Sequence, residues 1–182
     1  MRAFSIFCAL FLAAAALAAQ APSSKAAPAS SGGKAVGTLA QVMRGIYFPN
    51  ANLIFDVQHV DPAAPPRKRP EGSASTSETF STIYTGWQVV ENAAITLAES
   101  ADLIVTPGRR CQNGKPVPVQ RADFQKFARD MRAAGVEALK VARTRNRDQM
   151  IEVTNQIADA CANCHEPYRD KGEADSPARC TP

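Results

Sequence analysis

Four stretches of this chain repeat apolar side chains every three or four residues, and the stretches separating them cannot bury a core. Such a pattern leaves little room for anything but helices packed side by side. The first stretch runs from about Thr38 to Val57 and carries Leu39, Val42, Met43, Ile46 and Ile54, with Pro49 expected to kink or split it. The second, about Ile83 to Val105, carries Trp87, Val90, Ala94, Leu97 and Ala101. The third, about Arg121 to Arg145, places Phe124, Phe127, Met131, Ala134 and Ala138 on one stripe. Asp123 lies in its first turn and Arg143 near its end, the charge order a helix dipole favours. The fourth, about Asp148 to Tyr168, carries Ile151, Ile157, Ala160, Cys161 and Cys164, and tolerates Pro167 only because that residue falls at its end.

Little in the chain alternates like a strand. The expected fold is therefore all-α, an antiparallel four-helix bundle over residues 38–170. Residues 61–79 (DPAAPPRKRPEGSASTSET) form a long flexible linker inside it, and 106–120 a loop marked by Pro107-Gly108 and Asn113-Gly114. Residues 171–182 are a C-terminal tail. Up-down connectivity brings the start of the first helix, the 106–120 loop and the end of the fourth helix to one end of the bundle. The basic clusters Arg67-Lys68-Arg69 and Arg109-Arg110, set among prolines and glycines without interleaved aromatics, read as solvated loops.

Residues 1–19 have the layout of a secretory signal: Arg2, an apolar core from Phe4 to Leu17, and small residues at Ala18 and Ala19. Cys8 inside that core has no small residues before it, which argues against a lipoprotein. The apolar run is too short and alanine-rich for a membrane span. Residues 20–37, rich in alanine, serine, proline and glycine, form a flexible leader. The expected location is the periplasm, with the signal cleaved and no membrane span in the mature chain. Cleavage removes Arg2 from a formal charge of +4. So mild a balance gives no basis for nucleic-acid binding.

Near the end of the fourth stretch stands Cys161-Ala162-Asn163-Cys164-His165. C-x-x-C-H is the spacing of c-type haem attachment. Two thiols three residues apart share a helix face and can add to the two vinyl groups of one porphyrin. The adjacent His165 then serves as proximal iron ligand. One covalent haem c per chain is the expected cofactor. A zinc site would want a fourth ligand the segment lacks, and no βαβ pattern surrounds the thiols as in dithiol oxidoreductases.

Across the haem, helix geometry offers Met43. At ~1.5 Å rise per residue it lies ~8 Å above the bundle end, level with His165. His59, the only other histidine, lies ~24 Å from Met43 by the same rise. Met131 sits about one turn higher in the third helix and is a weaker rival. Met43 either binds iron as sixth ligand or lines the distal face. The distal segment has no histidine to serve a peroxidase as acid-base group.

A helical chain with C-x-x-C-H at the end of its fourth helix resembles the cytochrome c prime family, which includes low-spin relatives with methionine on iron. The stretch from Arg121 to Arg169, ending ACANCHEPYR, carries the likeness, including Tyr168-Arg169 after the motif. The first helix departs from it, with Pro49 inside and with Leu39 standing four residues before Met43 where the family pattern has arginine.

Cys111 and Cys180 remain once the haem takes its pair. The topology brings them to one end of the bundle, and an exported protein permits a disulfide; two free thiols are the alternative. The functional expectation is a soluble periplasmic electron carrier, not an enzyme, serving redox partner proteins, and a homodimer is compatible with it. The alternative is a haem-based binder of nitric oxide or carbon monoxide with an open sixth site.

Overall fold

The computed structural model describes residues 34–65, 72, 76 and 83–182. The proposed signal, most of the leader and most of the 61–79 linker lie outside the described residues, as does Arg67-Lys68-Arg69. Among the described residues the chain is all-α. Its only β pairing there is an isolated bridge between Arg110 and Pro116.

The first helical segment is one rod in four pieces: α1 (Leu39–Val42), a π turn (Met43–Tyr47), α2 (Phe48–Phe55) and a 3-10 turn (Asp56–Gln58). Thr38 starts it with a capping box. Its Oγ1 accepts from the Gln41 N–H at 3.2 Å while Gln41 Oε1 accepts from the Thr38 N–H at 2.8 Å. Pro49 neither splits the rod nor ends it. The distortion falls just before the proline, where the Phe48 N–H reaches back to the Met43 carbonyl. Widening that turn accommodates a residue with no N–H to donate and a ring that crowds the preceding turn. The Ile46 carbonyl is capped by Asn50 Nδ2 at 2.7 Å.

The second stretch is shorter than its periodicity suggests. Helix α3 (Trp87–Glu99) gives way at Ser100 to the single turn α4 (Ala101–Ile104). It begins at Trp87 because Gly86, at φ +58°, turns the chain sharply there. A Cβ on Gly86 would collide with the Pro62 carbonyl, so the position also requires a residue without one. Ile83 and Tyr84, expected inside this helix, lie before it and are exposed.

Helices α5 (Ala122–Thr144) and α6 (Arg147–Tyr168) match their stripes closely. Arg145 takes a left-handed conformation, φ +57°, to end α5. Asn146 then caps α6, accepting from the Gln149 N–H at 3.0 Å. Pro167 stands in the last turn, and α6 stops one residue later.

The rod packs on α3 and α6, α3 on α5, and α5 on α6, so the helix contacts run in a closed ring. Phe124, Ile54, Leu97, Met150 and Ile157 are fully enclosed by it. Each contributes about 1.5–3 kcal/mol through burial. Helices α3 and α5 approach closely at Gly135, where an added Cβ would stand 2.7 Å from the Ala98 nitrogen. Arg147 ties the far end of the rod to α6, its Nε donating to the Val57 carbonyl at 3.0 Å and its Nη2 to the Gln58 carbonyl at 3.0 Å.

One expectation fails in the 106–120 loop. Arg109 is not solvated: it is only 5% exposed. Its Nε donates to the Leu103 carbonyl at 2.8 Å and its Nη1 to the Gly37 carbonyl at 2.6 Å. Two carbonyls left unpaired at chain turns recruit the guanidinium inward, where burial lowers its pKa. Arg110 is exposed as expected. Its carbonyl accepts from the Leu39 N–H at 2.8 Å, which fastens the loop to the start of the rod. No described helix is long and apolar enough to cross a membrane.

Candidate functional site

The end of α6 puts Cys161, Cys164 and His165 on one face, because three- and four-residue steps return to the same side of a helix. All three line a cavity of about 490 Å³, within the ~300–1,000 Å³ range of small-molecule and cofactor sites. Met43, from the first turn of the π segment, lines the same cavity. Residues 118 positions or more apart in sequence thus share one chamber, since Met43 belongs to the rod and Cys161 to α6. Met131 of α5 also lines it and is buried, whereas Met43 is only partly so. His59 lies beyond the far end of the rod, exposed and outside the cavity.

The chamber is walled mostly by hydrocarbon and aromatic rings. Tyr168 stands one turn past Cys164, its ring edge-on to Phe124 with centroids 5.1 Å apart, and near Phe127 at 6.3 Å. The Tyr168 hydroxyl donates to Asp123 Oδ2 at 2.8 Å and accepts from Arg121 Nε at 2.9 Å. That network fixes the end of α6 against the start of α5. The aromatic after the motif is therefore a wall of the chamber and a structural tie at once.

Burial governs the acid-base state of the motif. It raises the Cys161 thiol and pushes the Cys164 thiol up to about 12, with Cys161 and Asp123 adding to the effect on Cys164. Burial also lowers His165, and the neighbouring Arg169 cation lowers it further. The imidazole is thus held neutral, the form in which its ring nitrogen can ligate a metal. Among the described residues no three His, Cys, Asp or Glu side chains come together as a metal-binding group.

Tyr47 was not legible as a site residue, although it falls four residues after Met43 and so shares its helix face. It lines the cavity and is 5% exposed. Its hydroxyl lies near enough to Ser100 to be affected by it, yet neither oxygen makes a well-formed hydrogen bond. Burial raises this hydroxyl to about 12, so it stays a neutral donor.

The C-terminal tail closes one rim. Cys111 and Cys180 stand at disulfide distance, Cα atoms 6.5 Å apart, and both line the cavity. Asn113 Nδ2 donates to the Ser176 carbonyl at 2.8 Å and the Arg179 carbonyl at 3.1 Å. The Cys180 N–H donates to the Tyr168 carbonyl at 2.8 Å.

A haem fits the chemistry of this chamber: apolar walls for a porphyrin, two thiols and a neutral imidazole on one helix face, and a thioether on another element. No family model, curated protein or solved structure matches this chain.

Proposed function

We propose that this chain is an exported c-type cytochrome, an antiparallel four-helix bundle carrying one covalent haem and acting as a soluble periplasmic electron carrier. The observation that carries the reading is that Cys161, Cys164, His165 and Met43 line one apolar cavity of cofactor size. The closed ring of helix contacts supports the bundle.

Cys161 and Cys164 would hold the group covalently. Their S–H groups would add across the two vinyl double bonds, the sulfur to one carbon and the hydrogen to the other, with no oxidant consumed. His165 would ligate the iron from α6, and Met43 would face it from the rod. Iron held there would supply one-electron chemistry. The protein's part is to keep that chemistry cheap. Ligands carried on packed helices would move little, and Phe124, Phe127 and Tyr168 give the chamber apolar ring surface.

A second reading is binding of nitric oxide or carbon monoxide; it draws on Tyr47, a residue lining the cavity whose buried hydroxyl makes no well-formed hydrogen bond and would have to turn inward to donate to a diatomic ligand. Acid-acetone extraction and intact mass test the haem itself. The colour should stay with the protein, and the mass should rise by one haem. A colourless exported chain that binds zinc overturns the proposal.

A further inference from the structure

We propose that Arg44 and Arg179 form the subsite for the two propionate carboxylates of the cofactor, an inference that rests on the haem reading above. Among the described residues three arginines line the cavity, Arg44, Arg169 and Arg179, and no aspartate or glutamate does. An apolar chamber with a cationic rim is complementary to a flat apolar body with two negative arms.

The three arginines are not equivalent. Arg169 already has an anion, its Nε 2.6 Å from Asp170 Oδ1. Arg44 and Arg179 form no ion pair among the described residues. Each is instead aimed by a neutral oxygen. Arg44 Nη2 donates to Gln112 Oε1 at 2.5 Å, and Arg179 donates from Nε and Nη2 to the Gly172 carbonyl at 3.1 and 2.6 Å. A guanidinium has five N–H donors, so each retains free ones while its orientation is set. Partial use of this kind leaves room for a carboxylate, which an arginine meets best with paired N–H groups.

The two also converge on one rim. Arg44 bonds Gln112, whose neighbour Cys111 stands at disulfide distance from Cys180, the residue after Arg179. Asn113 holds the Arg179 carbonyl from the same loop. The tail thereby serves the site by delivering a cation to it, and the Cys111–Cys180 pair fixes where that cation stands.

The test is the reduction potential of the haem-loaded, full-length protein as a function of pH, because a propionate held beside a cation loses its proton at lower pH. An adjacent cation lowers a carboxyl pKa by about 1–3 units. The Arg44→Gln/Arg179→Gln double variant should therefore move the proton-linked step in potential upward by about that much. Arg44→Lys/Arg179→Lys should restore most of it. Arg44 is exposed, so Arg44→Gln alone should fold and show part of the shift. A double variant that carries its haem yet superimposes on the wild-type profile overturns the subsite. A wild-type chain exported without haem overturns the haem reading, and the subsite with it, and mass spectrometry distinguishes the two.

Discussion

Cys111 and Cys180 are 69 positions apart in sequence, yet their Cα atoms lie 6.5 Å apart at the rim of the cavity that His165 lines. The first belongs to the loop between α4 and α5, the second to the tail after α6. Their meeting makes the tail a wall of the chamber.

A non-reducing peptide map of the exported protein should recover the two residues linked. Replacing both with serine should cost about 2–5 kcal/mol, as expected for a bridge closing a long loop. Recovery of both as alkylated free thiols would reject the bridge.

Met43 should decide between the electron-carrier and gas-binding readings. With its sulfur on iron, the oxidised protein is low-spin and the reduced protein resists carbon monoxide. Met43→Ala should then open the sixth position to carbon monoxide and lower the reduction potential, because thioether ligation favours ferrous iron. A wild type that is already high-spin and binds carbon monoxide freely would leave Met43 as lining and put the gas-binding reading ahead. Retention of the low-spin spectrum in the variant would point to Met131, which lines the same cavity.

Gly135→Ala should destabilise the fold by about 1–3 kcal/mol, the usual cost of overpacking. The new Cβ would stand 2.7 Å from the Ala98 backbone nitrogen, which cannot move without shifting α3 against α5. Urea unfolding measures it. An unchanged midpoint would mean that the two helices are not in such close contact.

Asp123 should give the protein an acid-sensitive component of stability. Hydrogen bonds from Arg121 and then Tyr168 hold its carboxyl down at about 2. An unfolded aspartate titrates near ~3.9. The folded state thus prefers the ionised form: its contribution is complete above about pH 4 and disappears as pH falls through about 2. Asp123→Asn should be less stable than wild type at neutral pH, and the gap should close toward pH 2. Urea midpoints at several pH values read this directly, and a gap independent of pH would assign the loss to packing rather than charge.

The limits of α5 and α6 were legible because their signals are local. Asp123 near the start of α5 and a continuous stripe through Phe124, Met131 and Ala138 need no information from elsewhere in the chain. The shared face of Cys161, Cys164 and His165 likewise follows from helix spacing alone. The rod shows the boundary of that reasoning. Pro49 announced a distortion, but the choice of a wide π turn before it, rather than a break at it, depended on a rod tied at both ends by Arg110 and Arg147. Arg109 looked like a solvated loop residue, since nothing in its neighbourhood reveals that the carbonyls of Gly37 and Leu103 converge on it.

The sequence by itself determined that the chain is helical and where its chemistry-bearing thiols and imidazole stand, because helix periodicity and motif spacing are properties of consecutive residues. Only the tertiary structure decided which distant side chains join them. Tyr47, Arg44 and Arg179 became candidate site residues when the rod, the Cys111 loop and the tail closed around one chamber. Burial, and with it the neutral state of His165 and the unpaired hydroxyl of Tyr47, is set by what packs against a residue and not by the residues beside it.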